Sequence, residues 1–135
     1  MTEIHLDEKE LELLAHLHET VEGYDHHFKV DPKGVMAALS VDEKQLRKSA
    51  SYLEAFGLVG TTKIDVTTFQ SAEFLFAGIY LTGLGEDFMR ALEKKPGVPK
   101  KITLGVMKEL WTVGKGAISS VAGQTLAEFV KHFHL

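Results

Sequence analysis

The chain has 135 residues, of which 44% are hydrophobic and 25% charged, with a formal net charge of −4. This length supports one hydrophobic core, and the absence of cysteine removes disulfides, thiolate metal sites and cysteine nucleophiles. The acidic opening MTEIHLDEKE lacks the apolar centre of a secretion signal, and the most apolar run, 74–84, is too short to span a bilayer, so a soluble cytoplasmic protein is expected.

Charge is unevenly spread. Residues 1–30 carry −6, residues 31–59 are neutral, residues 60–93 carry −3 and residues 94–135 carry +5. An acidic head and a basic tail are able to pair within or between subunits. The overall acidity weighs against non-specific grip on nucleic acid, which depends on Lys and Arg.

In chain order, Asp7 and Glu10 form a D-x-x-E capping box, with Leu6 and Leu11 placed as a hydrophobic staple. Leu11, Leu14, Leu17 and Val21, with Leu13, continue an apolar stripe at helical spacing, and Gly23 ends it. Residues 24–30 form a connector able to pair as a strand. Asp31 and Pro32 then open a second helix, proline standing where its missing N–H is not needed. A third helix starts at Asp42, with Gln45 placed to cap it reciprocally. Its apolar stripe is Leu46, Ala50 and Leu53, with Tyr52 at its edge, and Gly57 is its left-handed stop. GTTKIDVTT and FLFAGIYL read as two strands joined by the polar connection 68–73. Thr82 caps a further helix from about Gly83 to Lys95. KKPGVPKK is the evident linker, and 102–133 is helical in pattern, weakened at Gly114 and Gly116 into one kinked helix or two shorter ones.

The order helix, connector, helix, turn, helix, hairpin is that of a winged helix-turn-helix. VMAALSVDEKQLRKSASYLEAFGLVG resembles the helix-turn-helix core of bacterial winged-helix regulators: Ala37, Ala38 and Leu39 match the first helix, and Leu53, Glu54, Gly57, Leu58 and Val59 match the ending of the second. Ser40 stands where glycine is common in the turn, and Asp42 where Ser or Thr usually caps. In YLTGLGEDFMRALE, the residues Tyr80, Leu81, Thr82, Gly85, Phe88 and Leu92 look like the segment that closes the wing and opens the next helix. From Leu6 onwards the arrangement is similar to an uncharacterised winged-helix family of bacteria and their prophages. The resemblance implies an α+β, mainly α fold: a winged helix-turn-helix over 1–95 with a two-stranded wing, a linker over 96–101, and an appended C-terminal helix or helix pair over 102–135.

Two functions follow as expectations. The first is a small dimeric DNA-binding transcriptional regulator whose third helix enters the major groove of double-stranded DNA. Lys44, Gln45, Arg47 and Lys48 would then face DNA, with Ser51 further along and Lys63 in the wing; Arg47 suits guanine and Gln45 adenine. The competing explanation is a solvated amphipathic face, with Asp42 and Glu43 cancelling part of the positive field. The second function is a phage- or mobile-element-derived module that keeps the fold and binds a host protein without DNA. In the C-terminal region Trp111, Ile118, Val121, Phe129 and Phe133 are anchors of the interface type, and Ala117, Ser119, Ser120, Ala122 and Gly123 would let a second helix approach closely. A homodimer is one reading of that stripe; folding back on the first helix is the other.

Other chemistry finds little footing. The seven histidines include the pairs His16 and His18, His26 and His27, and His132 and His134, none with the spacing that places two ligands together. Lys94, Lys95, Lys100 and Lys101 read as a solvated linker before they read as an anion grip. No phosphate-cradling loop and no nucleophile beside a base stand out, so neither enzyme activity nor a cofactor, metal or membrane partner is expected.

Overall fold

The reciprocal box at Asp7 and Glu10 sets the first helix. In the computed structural model, which describes residues 4–21, 30–62, 78–114 and 116–133, the Glu10 amide donates to Asp7 Oδ1 at 3.0 Å, and the Asp7 amide donates to Glu10 Oε1 at 2.9 Å. Helix α1 runs Glu8–Val21. It buries more than the expected stripe: Leu11, Leu13, Leu14, Ala15 and Leu17 are fully covered, and Glu12 is only 2% exposed. A helix covered on most sides is a central one, and α1 touches four other helices and the sheet.

Helix α2 spans Pro32–Leu39 and α3 spans Glu43–Ala55. Asp31 caps α2 by accepting from the Lys33 amide at 3.2 Å. Both helices stop in the same way. After α3, Gly57 is left-handed at φ +78, its amide reaches Glu54 O at 2.9 Å, and the Leu58 amide reaches Leu53 O at 3.1 Å. After α2 the same pair of bonds joins Ser40 to Ala37 O at 3.4 Å and Val41 to Met36 O at 3.1 Å, but the left-handed residue is Ser40 at φ 55. A Cβ in this region costs about 1–2 kcal/mol, so the α2–α3 turn carries a strain that the α3 stop avoids.

Strands β1, Val59–Thr62, and β2, Gly78–Leu81, pair antiparallel with Val59 opposite Leu81. Val30, at the end of the expected connector, bridges Ile79 through two backbone bonds of 2.8 and 3.0 Å. The rest of that connector and the tip of the expected hairpin, with Lys63, lie outside the described residues. Helix α4, Gly83–Glu93, begins where Thr82 Oγ1 accepts from the Gly85 amide at 2.9 Å and donates to Gly57 O at 2.6 Å. A Cβ at Gly85 would run into the Leu58 carbonyl, so this strand-to-helix corner depends on glycine.

The tail is two helices, α5 (Leu104–Gly114) and α6 (Gly116–Phe133), which resolves the alternatives left by the two glycines. Helix α5 lies on α1 and α6 on α4. Ile102, Met107, Ile118, Ala122 and Leu126 join the same core cluster as α1–α4. The fold is thus mainly helical, with one two-stranded antiparallel sheet among the described residues.

Candidate functional site

The outward face of α3 is built by what the helix buries. Leu46, Ser49, Ala50 and Leu53 turn inward, which leaves Lys44, Arg47, Lys48 and Ser51 exposed. Lys44, Arg47 and Lys48 are spaced i, i+3 and i+4, so they share one face. Asp42 caps the helix, accepting from the Gln45 amide at 2.8 Å. The expected reciprocal half is replaced: Gln45 Nε2 donates to Ser49 Oγ at 3.0 Å, which draws this half-buried side chain along the helix. Sequence reasoning missed that partner because a buried Ser49 carries no distinctive signal.

Acids temper the field. Glu43 Oε1 lies 3.8 Å from Arg47 Nη2, an i,i+4 pair between half-exposed groups. Lys48 acts on Glu10, whose pKa is nonetheless raised, chiefly by burial. Glu54, at the far end of the face, accepts from Thr61 Oγ1 at 3.1 Å and so ties α3 to β1. Of the expected contact residues, the structure thus gathers Lys44, Arg47 and Lys48 on one exposed face and sets Gln45 at its inner margin; Lys63 is not described.

The expected interface residues fall in different places. Ile118 is 4% exposed and belongs to the core. Phe129 meets Phe88 edge to face, with centroids 5.9 Å apart. Trp111 and Val121 are half-buried, and the Phe133 side chain lies outside the described residues. The small residues of α6 are covered in part by the chain's own start: Ser119 Oγ donates to Leu6 O and a Cβ at Gly123 would stand 2.6 Å from Ile4 O, whereas Ala117 and Ser120 stay exposed. From α3, Tyr52 donates to His5 O at 2.9 Å. Three successive carbonyls of the N-terminal segment are therefore held or approached by α3 and α6.

Head and tail meet at the start of α5, where the contacts join carboxylates to backbone amides. Glu93 Oε2 accepts from the Ile102 amide at 2.7 Å and lies 3.1 Å from His18 Nε2, while Glu19 Oε1 accepts from the Leu104 amide at 3.3 Å. Carboxylates from α4 and α1 thus satisfy the free amides at and just before the start of α5, where the helix dipole favours negative charge. Lys9 and Lys108 donate to Leu39 O and Ala38 O at 3.2 and 3.3 Å, covering the end of α2. Burial pushes the Glu12 carboxyl above its usual value, opposed by Lys9, which lies 3.4 Å away, and by Lys108. Burial also lowers the pKa of His16, against the pull of Glu19.

Among the described residues no group of three His, Asp or Glu side chains is placed to hold a metal ion, and no helix is long and apolar enough to cross a membrane. Lys94, Lys100 and Lys101 are exposed, and Lys95 Nζ lies 3.6 Å from Glu128 Oε2. Comparison with known proteins finds no matching family model, no matching curated sequence and no matching solved structure.

Proposed function

We propose that the chain is a winged helix-turn-helix protein that binds double-stranded DNA through α3 and acts as a transcriptional regulator. The observation that carries this reading is the exposed row Lys44, Arg47 and Lys48 on the second helix of a tight two-helix turn. Supporting it are the order of elements, the Val30–Ile79 bridge beside the hairpin base, and the short left-handed link at Ser40. In this reading the three cations meet phosphates and base edges, while Asp42 and Glu43 limit the non-specific component and leave modest affinity. A module that binds another protein is the second reading, favoured by an apolar groove lined by Leu110, Val113, Ile118 and Val121 where α5 meets α6.

The test is binding of the full chain to labelled random duplex DNA across a salt series. Three phosphate contacts give a slope of log K against log salt of about −2.7, and R47A/K48A brings it close to −1. No binding at low salt, or an unchanged slope in the variant, sinks the DNA reading.

A further inference from the structure

Val113 sits at the end of α5 with 82% of its surface exposed, the one large hydrophobic so placed among the described residues. It does not stand alone. It borders an open groove of about 290 Å³ at the α5–α6 elbow, lined also by Leu110, Ala117, Ile118 and Val121 and, from the turn before α5, by Val98. An apolar concavity left open to water at the meeting of two helices is a surface that a partner can cover.

The chain on either side of Val98 points to the partner's charge. Val98 belongs to the KKPGVPKK turn, so Lys94, Lys95, Lys100 and Lys101 flank it in the chain. Residues 94–135 carry seven lysines against two glutamates. One of these lysines already holds a carboxylate, Lys95 on Glu128 at 3.6 Å. We infer that the elbow groove docks an acidic amphipathic segment of a partner protein, apolar side chains entering between Val98 and Val113 and carboxylates reaching the lysines beside it. This is a helix-in-groove mode in which burial supplies affinity and the lysines select sign.

Two other occupants fit less well. A two-fold dimer through this groove would bring the same patch to both copies, setting lysines against lysines. A bilayer surface would find Val113 as the one large exposed hydrophobic among the described residues, and a single projecting side chain is a weak membrane anchor.

The test uses the full chain and a fluorescein-labelled amphipathic peptide of Leu and Glu, about 18 residues or five helical turns long, with matched Leu/Gln and Leu/Lys peptides. Anisotropy should show saturable binding of the Leu/Glu peptide, about tenfold weaker binding of Leu/Gln and none of Leu/Lys. Val113→Asp, at an exposed position that leaves the melting curve unchanged, and Lys94→Glu with Lys100→Glu should each weaken the Leu/Glu peptide by about tenfold, whereas R47A/K48A should not. No saturable binding, equal binding of the three peptides, or indifference to both groove variants overturns the inference. So does loss of binding in R47A/K48A, which would place the peptide on α3. A dimer that Val113→Asp dissociates assigns the groove to a second copy, and uptake on phosphatidylserine vesicles without peptide binding assigns it to a membrane; either result also overturns it.

Discussion

Helices α3 and α6 hold the same short segment, yet they are fixed in opposite ways. Tyr52 of α3 and Ser119 of α6 donate to neighbouring carbonyls, those of His5 and Leu6. Helix α3 is specified locally, by the Asp42 cap, a stripe of three apolar residues and the Gly57 stop, and its outer face stays exposed. Helix α6 has no comparable start signal. Its small face is settled by a segment more than a hundred residues earlier in the chain. Local signals fix α3 and distant contacts fix α6, yet each keeps an exposed side, Lys44, Arg47 and Lys48 on α3 and Ala117, Ser120 and Gln124 on α6.

That contrast can be broken most severely at Gly123. Gly123→Ala puts a methyl against the Ile4 carbonyl, and we expect a loss of about 2–3 kcal/mol in urea unfolding, because backbone has little room to give. An unchanged midpoint would mean that Ile4 does not seat on α6. Removing one hydroxyl from each helix compares the two grips directly. Ser119→Ala leaves the Leu6 carbonyl short of a buried donor and should cost about 1–2 kcal/mol, whereas Tyr52→Phe, at an exposed bond, should cost about 0.5 kcal/mol. Equal costs would erase the distinction.

Ser40→Gly sharpens the comparison from the α3 side. The left-handed strain is relieved at some cost in chain entropy, leaving a gain of about 0.5 kcal/mol with no effect on α6. A loss of stability would show that serine is at ease there. The smallest effect lies in pH. Burial raises the Glu12 carboxyl above its ordinary value of 4.5 in the folded chain, so the folded state takes up this proton at higher pH than the unfolded one. The site's contribution is therefore fully present below that ordinary value and is lost as pH rises through the folded one. Measured against Glu12→Gln, the wild type should gain relative stability as pH falls through this window; parallel curves would contradict it.

How much of this was legible follows the same division. The capping box at Asp7 and Glu10, the caps at Asp31, Asp42 and Thr82, and the stop at Gly57 were readable because each is a bond between residues two to five apart. The outward turn of Lys44, Arg47 and Lys48 followed from helical period alone. What could not be read was long-range. Nothing in TEIHLD marks its carbonyls as partners for Tyr52 and Ser119, and nothing near Glu93 marks it as the acceptor for Ile102. Small residues on α6 suggested room for a second helix; at Ser119 and Gly123 the structure fills that room with the N-terminal segment. Gln45 misled more mildly, since a nearby serine competed for its amide.

The bond from Ser119 to Leu6 spans 113 residues. At synthesis rates of about 5–20 residues per second, the segment it secures waits roughly 6–23 seconds for its partner to be made. Closing the molecule is therefore a late act in its own manufacture. Until α6 leaves the ribosome, the side of α3 that carries Tyr52 lacks part of its finished setting, and any early encounter with another macromolecule finds an unfinished surface.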